Sequence, residues 1–373
     1  MIYFDNSATT FFKPKAVIDS VVNCIESLNA NPGRASHGLA IKASEVVYLA
    51  RCSIASFIGL KNEQRVIFTQ NCSHALNLAI LGLIKDGEHV ITTCFEHNSV
   101  LRPLFAKSKT VDISIIKPTA PRSTICTKQI ENAIRKNTSV VIVNHVSNVN
   151  GQIQPIEEIG RLCKKHGIPL IVDGAQSVGY LDIDMQAIGI SMLAIAPHKG
   201  LHAVMGVGAL ACSEEIELSH IVFGGTGTQS HELSQPTSTP DGYEVGTLPL
   251  CAISSISPAI SWCLDTKTQN ASTISYLTQE CIKRLEKIEG VSLYTPKSST
   301  NGIIAFNLKS FTSSYVCDYL YQEHEICARC GLHCAPLMHE YLHTKNHGCV
   351  RISLGADNNE EEIFRLITAI KKL

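Results

Sequence analysis

Short apolar runs recur along the chain up to residue 212 and constrain its fold more than any other feature. They are RVIFT (65–69), HVITT (89–93), DISIIK (112–117), VVIVNHV (140–146), PLIVDGA (169–175), MLAIAPH (192–198) and GALAC (208–212). Several are apolar throughout rather than alternating, the pattern of strands covered by helices on both faces. Helical patterns separate them, so this region reads as an α/β unit around a mostly parallel, seven-stranded sheet.

Residues 224–247, GGTGTQSHELSQPTSTPDGYEVGT, carry no periodic apolar face and read as a long loop. Beyond it come helical patterns at 255–289, the strand-like GIIAFNL (302–308) and CVRISLG (349–355), and a closing amphipathic helix, EEEIFRLITAIKKL. The expected division is a large domain over 15–255 and a smaller α+β domain made of 1–14 and 256–373.

Composition narrows the function. With 45% hydrophobic residues in 373 the chain can bury a large core. A formal net charge of -1, with no basic stripe, argues against binding a nucleic-acid backbone. The start, MIYFDNSATTFFKPK, lacks a basic region followed by an apolar run, and no segment reads as a membrane span, so a soluble, cytoplasmic protein is expected. Fifteen cysteines scattered through a chain without an export signal read mainly as reduced, buried, small apolar residues.

Ligands of parallel sheets bind beyond the C-terminal ends of the strands. Those positions hold Asn71, Cys72 and Ser73 after the first run, His97 after the second, Asn148 after the fourth, Asp173 and Gln176 at the fifth, and His198 and Lys199 after the sixth. Pyridoxal phosphate needs such a set: a lysine for a Schiff base, a carboxylate for the pyridine nitrogen, a flat group over the ring and donors for the phosphate. Taken singly, an aspartate at a strand end is more often a turn or cap, and a His-Lys pair is more often surface. Order and spacing, rather than any one residue, raise the cofactor reading to a level with the alternative of caps and surface groups.

The segments DNSATTFFKP, FTQNCSHALNLAI, FEHNSV, NHVSNVNG, VDGAQSVG, APHKG, GYEVGT, RCGLHCAPL and CVRISLG, in this order from residue 4 to 355, resemble the successive motifs of cysteine desulfurases of the class V aminotransferase fold. R-x-G-x-x-C-A-P-L is most similar to the SufS-like group, which includes selenocysteine lyases. The resemblance implies the PLP-dependent transferase type I fold. It also implies Lys199 as the Schiff-base lysine, Asp173 against the pyridine nitrogen, Gln176 on the ring hydroxyl and His97 stacked on the ring. Cys72, Ser73 and His198 would contact the phosphate, and Thr247 would reach the phosphate of a neighbouring subunit in a homodimer with shared active sites. Asn148 and Arg351 would hold the substrate carboxylate. Cys334 would be the nucleophile that takes sulfur from L-cysteine as a persulfide, releasing L-alanine; Arg329, counted with the substrate-binding residues, is a nearby cation that would favour its thiolate or else form a structural salt bridge. The persulfide would pass to a sulfur-acceptor protein; selenocysteine lyase activity on the same scaffold is the alternative. Two departures stand out. Ala196 and Pro197 occupy positions where relatives often supply a phosphate hydroxyl, and Cys72 stands where threonine is common.

Residues 328–348, ARCGLHCAPLMHEYLHTKNHG, also contain His339, Glu340 and His343 in the H-E-x-x-H pattern of zinc hydrolases, with Glu360, Glu361 or Glu362 as a third ligand. Confinement of this stretch between Pro336 and Gly348 favours surface or interface histidines, and no metal site is assigned. Cys330, four residues before Cys334, reads as a small buried residue, with a bridge to Cys334 as the functional alternative.

Overall fold

A computed structural model describes residues 1–33, 36–120 and 122–373. Among the described residues twelve strands occur in chain order: β1 (Ile2–Tyr3), β2 (Val66–Thr69), β3 (His89–Thr93), β4 (Asp112–Ile116), β5 (Thr138–Asn144), β6 (Leu170–Asp173), β7 (Met192–Ile195), β8 (Gly208–Cys212), β9 (Val291–Leu293), β10 (Ile303–Leu308), β11 (Ile326–Cys327) and β12 (Val350–Ser353). Each of the seven apolar runs coincides with or overlaps one strand of a 7-stranded sheet, ordered β2-β8-β7-β6-β5-β3-β4. Only β8 runs antiparallel to its neighbours; the remaining pairings are parallel.

Burial on both faces explains why these strands do not alternate. In β5, Val141 and Val143 enter one apolar core while Val140 and Ile142 enter the other, on the opposite face. Parallel neighbours need crossovers, and the helices Asn98–Ala106, Thr127–Ala133, Ile156–His166 and Met185–Ile188 supply them. Ile156–His166 shows how local chemistry supports such an element. Glu157 and Glu158 occupy its first turn, Lys164, Lys165 and His166 its last, and Gly167 ends it at φ 64°.

The register aligns the strand ends. Asn144 pairs with Asp173, and Asp173 with Ala194, so the C-termini of β5, β6 and β7 lie level along one rim. A second core forms where β12-β10-β9, an antiparallel 3-stranded sheet, packs with the helices Ile256–Leu285, Ser313–His324 and Glu360–Ile370. β1 joins it by pairing with β11, and Asp5 bridges to Ser353.

The loop reading of 224–247 holds, since no strand or helix lies between β8 and the helix Leu250–Ser254. The buried guanidinium of Arg51 grips Glu244 through two contacts of 2.7 and 2.9 Å. Glu244 in turn accepts the Phe68 N–H at 2.7 Å, tying this loop to β2.

Candidate active site

A cavity of about 120 Å³ opens on the rim, lined by Cys72, Ser73, His97, Asn148, Asp173, Gln176, His198 and Lys199, with Asn144 and Ser99 among its other walls. The strand-end residues singled out in the sequence therefore do converge.

Asp173 ends β6, is 2% exposed and accepts the Ala175 N–H at 3.0 Å. Lys199 shares this cavity. Burial pushes its ammonium toward the neutral amine; Cys72 and Asp173 oppose that shift, while Arg351 and Arg329 reinforce it. Gln176 is fixed by donating to the Ser7 carbonyl at 2.9 Å. The His198 ring contacts Thr9 Oγ1 at 3.1 Å, and its backbone carbonyl accepts from Thr10 Oγ1 at 3.1 Å and Lys13 Nζ at 3.3 Å. The DNSATT stretch thus serves as packing behind the Lys199 turn.

The helix Cys72–Leu83 begins at the cavity, capped by Asn71, whose side chain accepts the His74 N–H at 2.9 Å. The first N–H groups of a helix have no intrahelical acceptor, so this end is suited to an anion. Gly208 makes room for it, because a Cβ there would lie 2.3 Å from the Asn71 carbonyl carbon. The Cys72 thiol is pushed well above its ordinary range by burial and then by Asp173, so Cys72 faces the cavity as a neutral group.

His97 caps the helix Asn98–Ala106. Its Nδ1 accepts the Ser99 N–H at 3.0 Å, which places the ring proton on Nε2. Burial, its largest influence, lowers its basicity, and Asp173 opposes this. Ser99 Oγ lies 2.6 Å from Ser73 Oγ, putting two hydroxyls at the cavity edge where Ala196 and Pro197 offer none. Sequence reasoning missed Ser99; the signal was its place two residues after the ring-stacking candidate.

Cys334 is exposed and lies in a wider cleft that shares Ser73, His97 and Ser99 with the cavity. His333 and Cys334 both adopt left-handed backbone, at φ 47° and 58°, a conformation that costs about 1 kcal/mol or more per non-glycine residue. Three contacts hold this turn. The Asn148 amide donates to the His333 carbonyl at 2.7 Å, the Asn98 N–H donates to the Cys334 carbonyl at 2.7 Å, and His333 Nε2 meets the Cys349 carbonyl at 3.1 Å. The cation lining this cleft is Arg102, another residue the sequence reading missed. Arg329 is half-buried, pairs with Arg351 through the backbone, and does not line it.

Arg351 stands behind the cavity rather than on its wall. It is 1% exposed, donates to the Asn148 carbonyl at 3.0 Å and forms an ion pair with Asp5 at 2.5 Å. Its Nε, with Asn148 Oδ1 and Asn144 Oδ1, is buried without a partner, so polar atoms around the cavity are left for a ligand to satisfy. Thr247 is exposed and does not line the cavity of its own chain.

Expectations for the 328–348 segment need correction: His339, read as a surface or interface residue, is 0% exposed. The helix Pro336–Tyr341 ends before His343, which is exposed with φ 57°, so His339 and His343 do not share a helical face. Glu362 is engaged at the start of the last helix, accepting the Asn359 N–H at 3.1 Å. Cys330 is exposed, and its thiol lies against Cys317 rather than Cys334.

A lysine and an aspartate at the C-terminal edge of a buried, mostly parallel sheet, with an anion-ready helix end beside them, place the architecture in the PLP-dependent transferase type I fold. More narrowly, residues 2–366 match the aminotransferase class-V family, and the chain belongs to it. A probable cysteine desulfurase of Methanothermobacter thermautotrophicus is 30% identical over 381 residues, spanning 100% of this chain and 94% of the relative. One from Pyrococcus abyssi is 30% identical over 389 residues, with 100% and 94% covered. The apo structure of a cysteine desulfurase from Thermococcus onnurineus superposes with a TM-score of 0.93 at 28% identity, covering 100% of this chain and 94% of that one.

Proposed function

We propose that the protein is a PLP-dependent cysteine desulfurase that converts L-cysteine to L-alanine and carries the sulfur as a persulfide on Cys334. The observation that carries this reading is the continuity of the cavity holding Lys199 and Asp173 with the cleft holding Cys334, through His97, Ser73 and Ser99. Pyridoxal phosphate, when bound, supplies an imine-forming carbonyl and an electron sink that weakens bonds at the substrate's α- and β-carbons.

The chain's residues would do the rest. Asp173 would hold a proton on the ring nitrogen, His97 would cover the ring face and Gln176 would meet its hydroxyl. The Cys72 and Ser73 N–H groups, the Ser73 and Ser99 hydroxyls and His198 would hold the phosphate, joined by Thr247 from the second subunit of a homodimer. Arg351, oriented by Asp5, and Asn148 receive the substrate carboxylate. Lys199, a base because burial favours its neutral amine, moves the α-proton. The Cys334 thiolate takes the sulfur, with Arg102 as the cation at the mouth of its cleft. In this reading residues 15–255 carry the cofactor, while 1–14 and 256–373 carry the nucleophile. An exposed Cys334 is placed to hand sulfur to an acceptor protein in the cytoplasm. Among the described residues no helix is long and apolar enough to cross a membrane.

The test is alanine release and persulfide mass on cysteine, with selenocysteine in parallel. Cys334→Ala is expected to keep the cofactor and lose persulfide and alanine formation from cysteine by roughly 10²-fold or more. Undiminished desulfuration of cysteine by this variant would remove Cys334 from the mechanism.

A further inference from the structure

Beneath the nucleophile turn lies a cluster that the proposed chemistry does not use. His333 precedes Cys334, His339 sits in the helix Pro336–Tyr341, and Cys349 precedes β12; they are 3%, 0% and 0% exposed. One ligand atom from each lies within 4.8 Å of the other two. His333 Nε2 is 3.1 Å from the Cys349 carbonyl, so it carries the proton and leaves Nδ1 as a lone pair. His339 Nδ1 meets Thr344 Oγ1 at 2.7 Å, which leaves Nε2. His333 Nδ1 and His339 Nε2 are both buried without a hydrogen-bond partner. Imidazoles whose second nitrogen is engaged by a carbonyl or hydroxyl, with the first directed into a buried cluster, have the arrangement seen around bound metals. The Leu332 carbonyl also lies beside the His339 ring and is the competing partner for it.

The geometry points to a three-coordinate site for one thiophilic monovalent cation, Cu⁺, held by His333 Nδ1, His339 Nε2 and Cys349 Sγ. Softness of the donor set selects a thiophilic ion, and charge selects the monovalent one. Binding releases the Cys349 proton to solvent, so Cu⁺ with a thiolate and two neutral imidazoles adds no net charge to the buried site. A divalent ion would leave one positive charge in a dry region that already feels Arg351 and Arg329. Burial holds His333 at about 2 and His339 at about 4, so both rings remain neutral, and it raises the Cys349 thiol to about 12, so the cation must displace that proton as it binds. Bonds of about 2.0–2.3 Å put three trigonal ligands roughly 3.5–4 Å apart, so the cluster, whose ligand atoms all lie within 4.8 Å, closes by no more than about 1 Å on binding. An occupied site would fasten both ends of the turn that presents Cys334.

The experiment uses the reduced, cofactor-loaded full chain without oxygen, titrated with Cu⁺ against bicinchoninate at concentrations that strip exposed thiols. Wild type is expected to retain one more equivalent than Cys349→Ser or His339→Gln, and X-ray absorption should show one sulfur and two imidazole nitrogens. Thr344→Val keeps every ligand atom but frees His339 Nδ1; it covers the case in which a ligand variant does not fold, and should weaken retention about 10- to 100-fold. Equal retention by wild type and the folded variants, sulfur-only coordination, or preferential loading of Zn²⁺ in a direct competition would each overturn the assignment.

Discussion

In the proposed mechanism Lys199 and Arg351 set the residue-scale chemistry by opposite means. Lys199 is tuned by burial toward the free amine, so borohydride treatment of the purified protein should leave a pyridoxyl group on Lys199. Peptide mass spectrometry checks this, and a label on another lysine would displace Lys199 from its role. Lys199→Ala should lower alanine formation by roughly 10²- to 10⁴-fold, the usual loss with a proton-transfer group. Arg351 is tuned by contact. Asp5 and the Asn148 carbonyl occupy its two terminal nitrogens, and the buried Nε remains for a carboxylate. Arg351→Lys keeps the charge but not the fork, and should raise KM for cysteine about 10- to 100-fold, with a smaller change in kcat. An unchanged KM would make Arg351 a purely structural partner of Asp5.

At the scale of elements, the long loop after β8 is held by chemistry rather than by periodicity. Glu244 joins the helix Gly38–Phe57, which bears Arg51, to β2, which offers the Phe68 N–H. Both partners are buried, with 6% of each side chain exposed. Glu244→Ala would strand the Arg51 guanidinium in the core and should cost about 3–5 kcal/mol in urea unfolding. A loss below about 1 kcal/mol would mean that water reaches Arg51. The turn at Cys334 follows the same logic: left-handed backbone persists there because Asn98, Asn148 and His333 over-determine it.

For the whole molecule, buried histidines make stability depend on pH. Burial is the main reason that His145, His198 and His202 each lie near about 4, below the ordinary value of about 6.5. The native state then binds fewer protons than the unfolded chain between those values. Its stability is full above about pH 6.5 and falls as the pH drops toward 4, by on the order of 1 kcal/mol per unit for each group. Glu96 acts in the opposite sense, because burial raises its carboxyl to about 8 and stability linked to it falls as pH rises from about 4.5 to 8. His333 and His339 act in the same sense as these three, and together the histidines outweigh Glu96, so urea midpoints should fall between pH 6.5 and 4.5. Flat midpoints would show that these rings take up protons in the fold as readily as in the unfolded chain.

What the sequence determined by itself was the sheet and the order of residues on its rim. Runs such as VVIVN and PLIVD can satisfy their apolar character only between two helix layers, and the chain must then deliver Asp173 and Lys199 to one edge. The short strands β1, β9 and β11 could not be read, because two or three residues carry no period. Tertiary structure alone decided the partners of the site residues. Asp5 and Arg351 meet across 346 positions, Ser99 faces Ser73, Arg102 rather than Arg329 lines the Cys334 cleft, and Cys330 lies against Cys317. The H-E-x-x-H pattern marked a helix that ends too soon, whereas His339 meets His333 and Cys349. Local propensity acts over a few residues, but these pairings are set by how the small antiparallel sheet docks on the rim of the large one, and no spacing along the chain encodes that distance.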